Sequence, residues 1–468
     1  MSMASGSAHL LPDTSTGLLL GADSRRWALR TCQAMVLLPL FWLMLLPEYV
    51  QGLGDAEAKS IVYRATLGPF RLVDLLLLAM IAAHAVGWAS SRRWQVHLPR
   101  EIAWPGIGFL GAIVLAMGFG ATHGGTNLFF DWRALALGIG SYVVFALWLQ
   151  TPLTWQWALE LFAVLMALRI AWIYAEFLSG GGDVLVGVRI PVFDGPTVSA
   201  VVFTALLAMC LGGSAPGWRS VIWMGFGAAA YVLVLLCFRR TFWAELGIAS
   251  LALLLIKGRR RGRNLLLAVA AIAAAAAILG PAFVERIHSM DFTQDETEFS
   301  QGNPDHVGEV LDAWEQVKRN PVMGIGLGRS FQALRIQEWK EDSVMVHNAP
   351  LHVWLKYGLL GLACYVWFHA AGLRWLWRAR GFGNRNTDDR DSGAARVGAF
   401  QGAAMVYLAA QFAVSLGFAP WPYSSLQSAV LTAFVLAMSI AGERTWNYQP
   451  SRWSLRRSTA ARLSKMPF

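Results

Sequence analysis

In the stretch EDSVMVHNAPLHVWLKYGLLG, residues 341–361, a polar segment turns apolar at His347 and Asn348. Imidazole is the side chain best suited to exchanging a proton near neutral pH. A helix starting at Asn348 would be capped by its amide, and Pro350 in the first turn gives up no needed donor. Gly358 and Gly361 follow. At about three turns along, Gly358 shares a face with His347 and Gly361 lies a turn deeper, so these small residues predict close approach of another helix. The plainer reading of His347 is a polar neighbour of a helix cap. Arg169 is a second candidate because it lies inside an apolar segment, where a charge faces a cavity or a partner such as Glu160, Glu176 or Glu245. Metal chemistry is not expected. His347 and His352 would stand about 140° apart on a helix, and the nearest acidic pair, Asp388-Asp389, falls in another loop. No cofactor is expected either, since GIGLG at 324–328 has neither a preceding strand nor a following Lys-Ser/Thr.

The elements that must position these residues are membrane helices. Of the 468 residues 56% are hydrophobic and 15% charged, with a mean hydropathy of +0.46, which excludes an ordinary soluble domain. The expected fold is an all-α polytopic membrane protein of about 12 transmembrane helices with one large, partly helical periplasmic loop. The apolar segments run 27–47, 72–90, 103–121, 133–150, 155–179, 196–213, 218–238, 242–257, 264–283, 350–371, 396–418 and 424–441, each near the ~20 residues that cross a bilayer. The four cysteines, Cys32, Cys210, Cys237 and Cys364, all sit in apolar segments without metal-ligand spacing.

The net charge of +10 reads as topology, and no basic stripe interleaved with aromatics suggests nucleic acid. With the N-terminus inside, 24 Lys and Arg fall in cytoplasmic segments and seven in short outer loops. Both termini are then cytoplasmic and His347 lies outside. The expected organisation is a cytoplasmic tail at 1–26, helices 1–9 across 27–283, a periplasmic loop at 284–349, helices 10–12 across 350–441 and a basic cytoplasmic tail at 442–468. Within the loop, Val307, Val310, Leu311, Trp314 and Val317 recur at helical spacing, predicting an amphipathic helix over 304–319. Arg239 and Arg240 are an outward basic pair, against the rule. They either snorkel to headgroups or serve function. Arg189, in a Gly/Pro-rich loop, has a local ion pair with Asp183 or Asp194 as its alternative.

The spacing His-Asn, nine residues, Gly, two residues, Gly resembles the signature of bacterial O-antigen ligases, within the wider superfamily of ligases and polymerases that handle polyprenyl-linked sugars. NPVMGIGLGRSF resembles the segment that precedes the family's His motif. Arg240, Thr241 and Trp243 in CFRRTFWAELG match its Ser-Arg-Gly/Thr-x-Trp helix start, while Phe238 and Arg239 stand where the common form has smaller residues, and GVRIPVFDGPTVSA resembles its outer-loop Arg segment. One departure is Val310, where the family often carries Arg; His306, Glu309 and Arg286 are candidates to cover its role. The resemblance implies an inverting glycosyl transfer. Undecaprenyl-pyrophosphate-linked O-antigen is the donor, a hydroxyl of lipid A–core oligosaccharide the acceptor, and lipopolysaccharide biosynthesis at the periplasmic face of the inner membrane the setting. His347 is then the general base, and Arg189, Arg239, Arg240, Arg169, Arg286 and Asn348 form the substrate-binding set. O-antigen polymerase and protein O-oligosaccharyltransferase use the same donor. A transporter or flippase is a third class, although no internal repeat is present.

Overall fold

The structure is a computed structural model that describes residues 96–126, 128–180, 183–185, 188–190, 195–215, 217–237, 240–255, 302–332, 346–380, 393–416 and 426–447, with scattered positions at 37–82, 269–277 and 334. Helices dominate: α1 (Arg100–Thr122), α2 (Leu128–Trp148), α3 (Pro152–Leu178), α4 (Gly195–Ser214), α5 (Gly217–Leu236), α6 (Arg240–Leu255), α7 (Gly302–Arg319), α8 (Ala349–Ala379), α9 (Gly393–Ser415) and α10 (Leu426–Asn447). Six of them, α1, α3, α4, α5, α8 and α9, are long and apolar enough to cross a membrane among the described residues. The segments expected at 27–47, 72–90 and 264–283 lie almost wholly outside those residues.

Two short antiparallel hairpins depart from the all-helical expectation: β1 (Thr66–Leu67) with β2 (Phe70–Arg71), and β3 (Asp183–Leu185) with β4 (Val188–Ile190). The second lies between the glycines at 180–182 and Pro191, where alternating Val-x-Val suits a strand and Gly and Pro oppose a helix.

The core forms where α4 passes through the bundle. Phe162, Phe203, Phe400 and Phe434, from α3, α4, α9 and α10, are each at most 1% exposed and meet ring to ring, Phe162 and Phe434 stacking at 5.2 Å. Trp155 donates its indole N–H to the Met438 carbonyl at 2.9 Å, so the wide ring is buried without an orphaned donor.

Contacts along the helices sort their termini into two ends. At one, Arg378 of α8 pairs with Glu101 of α1 at 2.6 Å, and Ser220 of α5 donates to the Gly212 carbonyl of α4 at 2.6 Å. At the other, Asn348 before α8 meets Leu416 after α9, Trp243 of α6 donates to Leu235 of α5 at 3.0 Å, and Asp131 of α2 meets Lys356 of α8.

Candidate active site

The amphipathic helix expected over 304–319 is present as α7, with Lys318 and Arg319 in its last turn, where cations suit the dipole. Ala313 and Val317 bury against Val346, Leu351 and Leu355. Trp314 and Trp354 meet edge to face at 5.4 Å, and the Trp354 indole donates to the Pro321 carbonyl at 2.8 Å. This seam lays α7 across the start of α8.

From α7, fully buried Glu309 receives His347. Its Oε1 accepts the His347 backbone N–H at 3.1 Å, and the ring Nδ1 lies 3.2 and 3.0 Å from its two oxygens. A carboxylate only accepts, so Nδ1 carries the hydrogen and Nε2 is left with its lone pair. The His347 side chain is 24% exposed while Glu309 is 1% exposed, which leaves the imidazole as the open member of the pair.

Asn348 is the N-cap of α8. Its Oδ1 accepts from the Leu351 amide at 3.0 Å and its Nδ2 donates to the Leu416 carbonyl at 3.0 Å. Its polar atoms thus hold the His347 turn to two helices. His352 faces the same turn rather than lying apart from it: it is buried, and its Nδ1 accepts the Val346 amide at 3.3 Å. The reason is that Val346 and His347 precede the helix, so the chain folds back over the first turn and the angular spacing of an unbroken helix does not apply.

Gly361 faces another helix, with Ala112 of α1 3.9 Å from where its Cβ would stand, but Gly358 does not. The helix breaks at Gly358, with φ 70° and ψ −173°, a conformation essentially restricted to glycine. The approaching element is the loop 320–328: a Cβ on Gly358 would strike the Val322 carbonyl. Ile325 donates to the Leu355 carbonyl at 2.6 Å, which the break leaves without its helical partner. Gly326, at φ 87°, lies backbone to backbone against Gly120 of α1, and Leu327 donates to the Ala116 carbonyl at 3.0 Å. GIGLG is thus a wedge seated between α1 and α8.

An ion pair pins the wedge. Asp131 and Lys356 meet at 2.8 Å with side chains 5% and 0% exposed. Asp131 also accepts the Gly328 amide at 2.8 Å, and Lys356 donates to the Arg329 carbonyl. Removing one partner would strand a buried charge, at a cost of about 3–5 kcal/mol. These two residues, and Glu309 as partner of His347, were not read as site residues from sequence. Asp131 opens an apolar helix and Lys356 interrupts one, which was the available signal.

The arginines divide. Arg189 stands in β4 opposite Val184, shortly before α4. Arg240 is the first residue of α6, whose start Trp243 ties back to α5. Arg169 is half-buried in α3, about 14 Å from the helix C-terminus. All three belong to the end of the bundle that carries His347. Arg239 and Arg286 lie outside the described residues. Val310 is half-buried in the α7–α8 seam. Of the residues considered for the missing arginine's role, Glu309 is engaged by His347, while Arg286 and the His306 side chain are outside the description. Among the described residues, no three His, Cys, Asp or Glu side chains converge as a metal site would require.

Residues 200–366 match the family described as O-Antigen ligase. That stretch is similar to an O-antigen ligase domain. The match begins within α4, takes in α7, the glycine wedge, Glu309, His347 and Asn348, and ends beyond the break at Gly358. No curated protein matches the chain. The match points to ligase- or polymerase-type glycosyl transfer on a lipid-linked polysaccharide in a membrane.

Proposed function

We propose that the protein is an inverting, metal-independent glycosyltransferase that ligates O-antigen from undecaprenyl pyrophosphate onto lipid A–core oligosaccharide at the periplasmic face of the inner membrane. The observation that carries this reading is the His347–Glu309 pair at the end of a membrane bundle. Nε2 of His347 takes the proton of the acceptor hydroxyl, and the freed oxygen attacks the anomeric carbon. The bond from that carbon to the pyrophosphate oxygen breaks with its electron pair on the leaving group, and the configuration inverts. Glu309 holds the ring in the basic tautomer and stabilises the imidazolium that forms. Arg240, Arg189 and Arg169 supply cations for the pyrophosphate on the same end, and Arg239 and Arg286 are further candidates from the sequence alone.

Sidedness follows from charge. The opposite end carries Arg100, Arg219, Arg378, Arg396 and Arg444 in helix terminal turns, and the positive-inside rule places such an end in the cytoplasm. Broken helices are also common in transporters, but in α8 the gap is filled by Val322–Gly324. A strain lacking the gene tests the assignment: it should accumulate full-length polymer on the lipid carrier. Accumulation of single repeat units instead would mark a polymerase, and normal lipopolysaccharide would overturn the reading.

A further inference from the structure

The first turn of α8 contains an imidazole that the proposed mechanism does not use. With Asn348 as N-cap, His352 is the fourth residue of the helix and Val346 the second before the cap. Side chains in a first turn lean back toward the helix start, and an apolar contact from the fourth residue to the chain before the cap commonly fixes the angle at which that chain enters. Here the contact is a hydrogen bond. Val346 is fully buried, so its N–H needs an acceptor, and His352 Nδ1 supplies it at 3.3 Å. The backbone N–H of His352 closes the first turn on the Asn348 carbonyl at 2.8 Å, so one residue ties down both sides of the cap. An accepting Nδ1 carries no hydrogen, which puts the ring hydrogen of His352 on Nε2. That is the reverse of His347, whose Nδ1–H faces Glu309. The His352 ring lies within electrostatic reach of Glu309 and His347, yet it is buried and meets no substrate.

We infer that His352 is a positioning residue for the transfer: its Nδ1 lone pair, acting through the Val346 amide, sets the angle at which the chain enters α8 and with it the direction of the His347 ring. This role rests on His347 being the base of the proposed function. Three consecutive residues are then held in three ways, Val346 by His352, His347 by Glu309, and Asn348 by its own cap on Leu351. Glu309 fixes which nitrogen of the base is free, and His352 fixes where the chain delivers it. A displacement of about 1 Å between reacting groups can cost about 10²-fold in rate.

Asparagine and glutamine separate this role from simple packing. Asparagine carries its Oδ1 where histidine carries Nδ1, whereas glutamine places its polar atoms near the Nε2 position. In proteoliposomes of the full chain, H352N should therefore keep turnover close to wild type. H352Q and H352L should lose about 10–10²-fold in kcat per folded enzyme, with KM for the lipid-linked donor little changed. Hydrogen exchange at the Val346 amide, followed by mass spectrometry on the same samples, needs no activity: it should quicken in H352Q and H352L but not in H352N. Should H352L not fold, H352Q carries the test. Normal kcat per folded enzyme in H352Q, H352N no better than H352Q, or Val346 exchange indifferent to H352Q would overturn the inference. Wild-type protein that shows the expected exchange pattern across the variants but transfers no sugar would instead strike the proposed function, and with it the catalytic meaning of this contact.

Discussion

Replacing Glu309 with glutamine tests the base assignment through a residue that touches no substrate. The substitution keeps volume and hydrogen-bonding capacity, and the structure dictates how the amide must turn. The part-buried backbone N–H of His347 needs an acceptor, and Glu309 Oε1 supplies it at 3.1 Å. In E309Q the amide oxygen takes that position and the NH₂ group faces Nδ1, about where Oε2 stood at 3.0 Å. An NH₂ can only donate, so Nδ1 becomes the acceptor and the ring hydrogen moves to Nε2. The outward nitrogen then has no lone pair for the acceptor's proton. Loss of general-base catalysis is typically worth 10²–10⁴ in rate, or about 3–5 kcal/mol of barrier. E309Q should therefore fall nearly as far as a variant without the imidazole. The assay is transfer from purified lipid-linked donor to lipid A–core in proteoliposomes, with donor binding measured separately and expected to be unchanged. E309Q turnover within threefold of wild type would refute the tautomer argument.

Other outcomes follow from the same geometry. G358A forces a glycine-only conformation on alanine, at about 1–3 kcal/mol, and drives its methyl into the Val322 carbonyl; limited proteolysis should show the 320–328 loop released. Asp131→Ala strands Lys356 and should lower the midpoint of thermal unfolding sharply, whereas D131A/K356M, which removes both charges, should recover most of the loss. If the double variant is no better than the single one, the ion pair is not what holds the wedge. At Arg240, lysine keeps the charge but loses the fork, so R240K should bind donor almost as poorly as R240A; full activity in R240K would leave only general electrostatic attraction.

Helix placement was the part most open to sequence. Lipid leaves each span as a run of apolar residues, so the run at 103–121 lies within α1 and that at 155–179 overruns the end of α3 by one residue, and the period of Val310, Trp314 and Val317 located α7. What pattern could not give was long-range pairing. Glu309 stands 38 residues before His347 and Asp131 lies 225 before Lys356, and nothing local marks either carboxylate as a partner. Of the two glycines of the His motif, Gly358 misled for a related reason, while Gly361 does meet α1 at Ala112. Their spacing fits an unbroken helix, and only the incoming wedge reveals that Gly358 is where the helix stops being one. His352 was set apart on the same assumption, yet it braces the turn that carries His347. Asn348 read correctly as a cap, because capping is a local event decided within four residues.

The most direct test of the account is the turnover of His347→Ala in proteoliposomes holding both lipid-linked substrates, with protein level, melting temperature and donor affinity measured on the same preparation. The account predicts a 10²–10⁴-fold loss of ligation with fold and donor binding intact. Near-normal turnover would contradict it and would leave the pyrophosphate itself to remove the acceptor's proton.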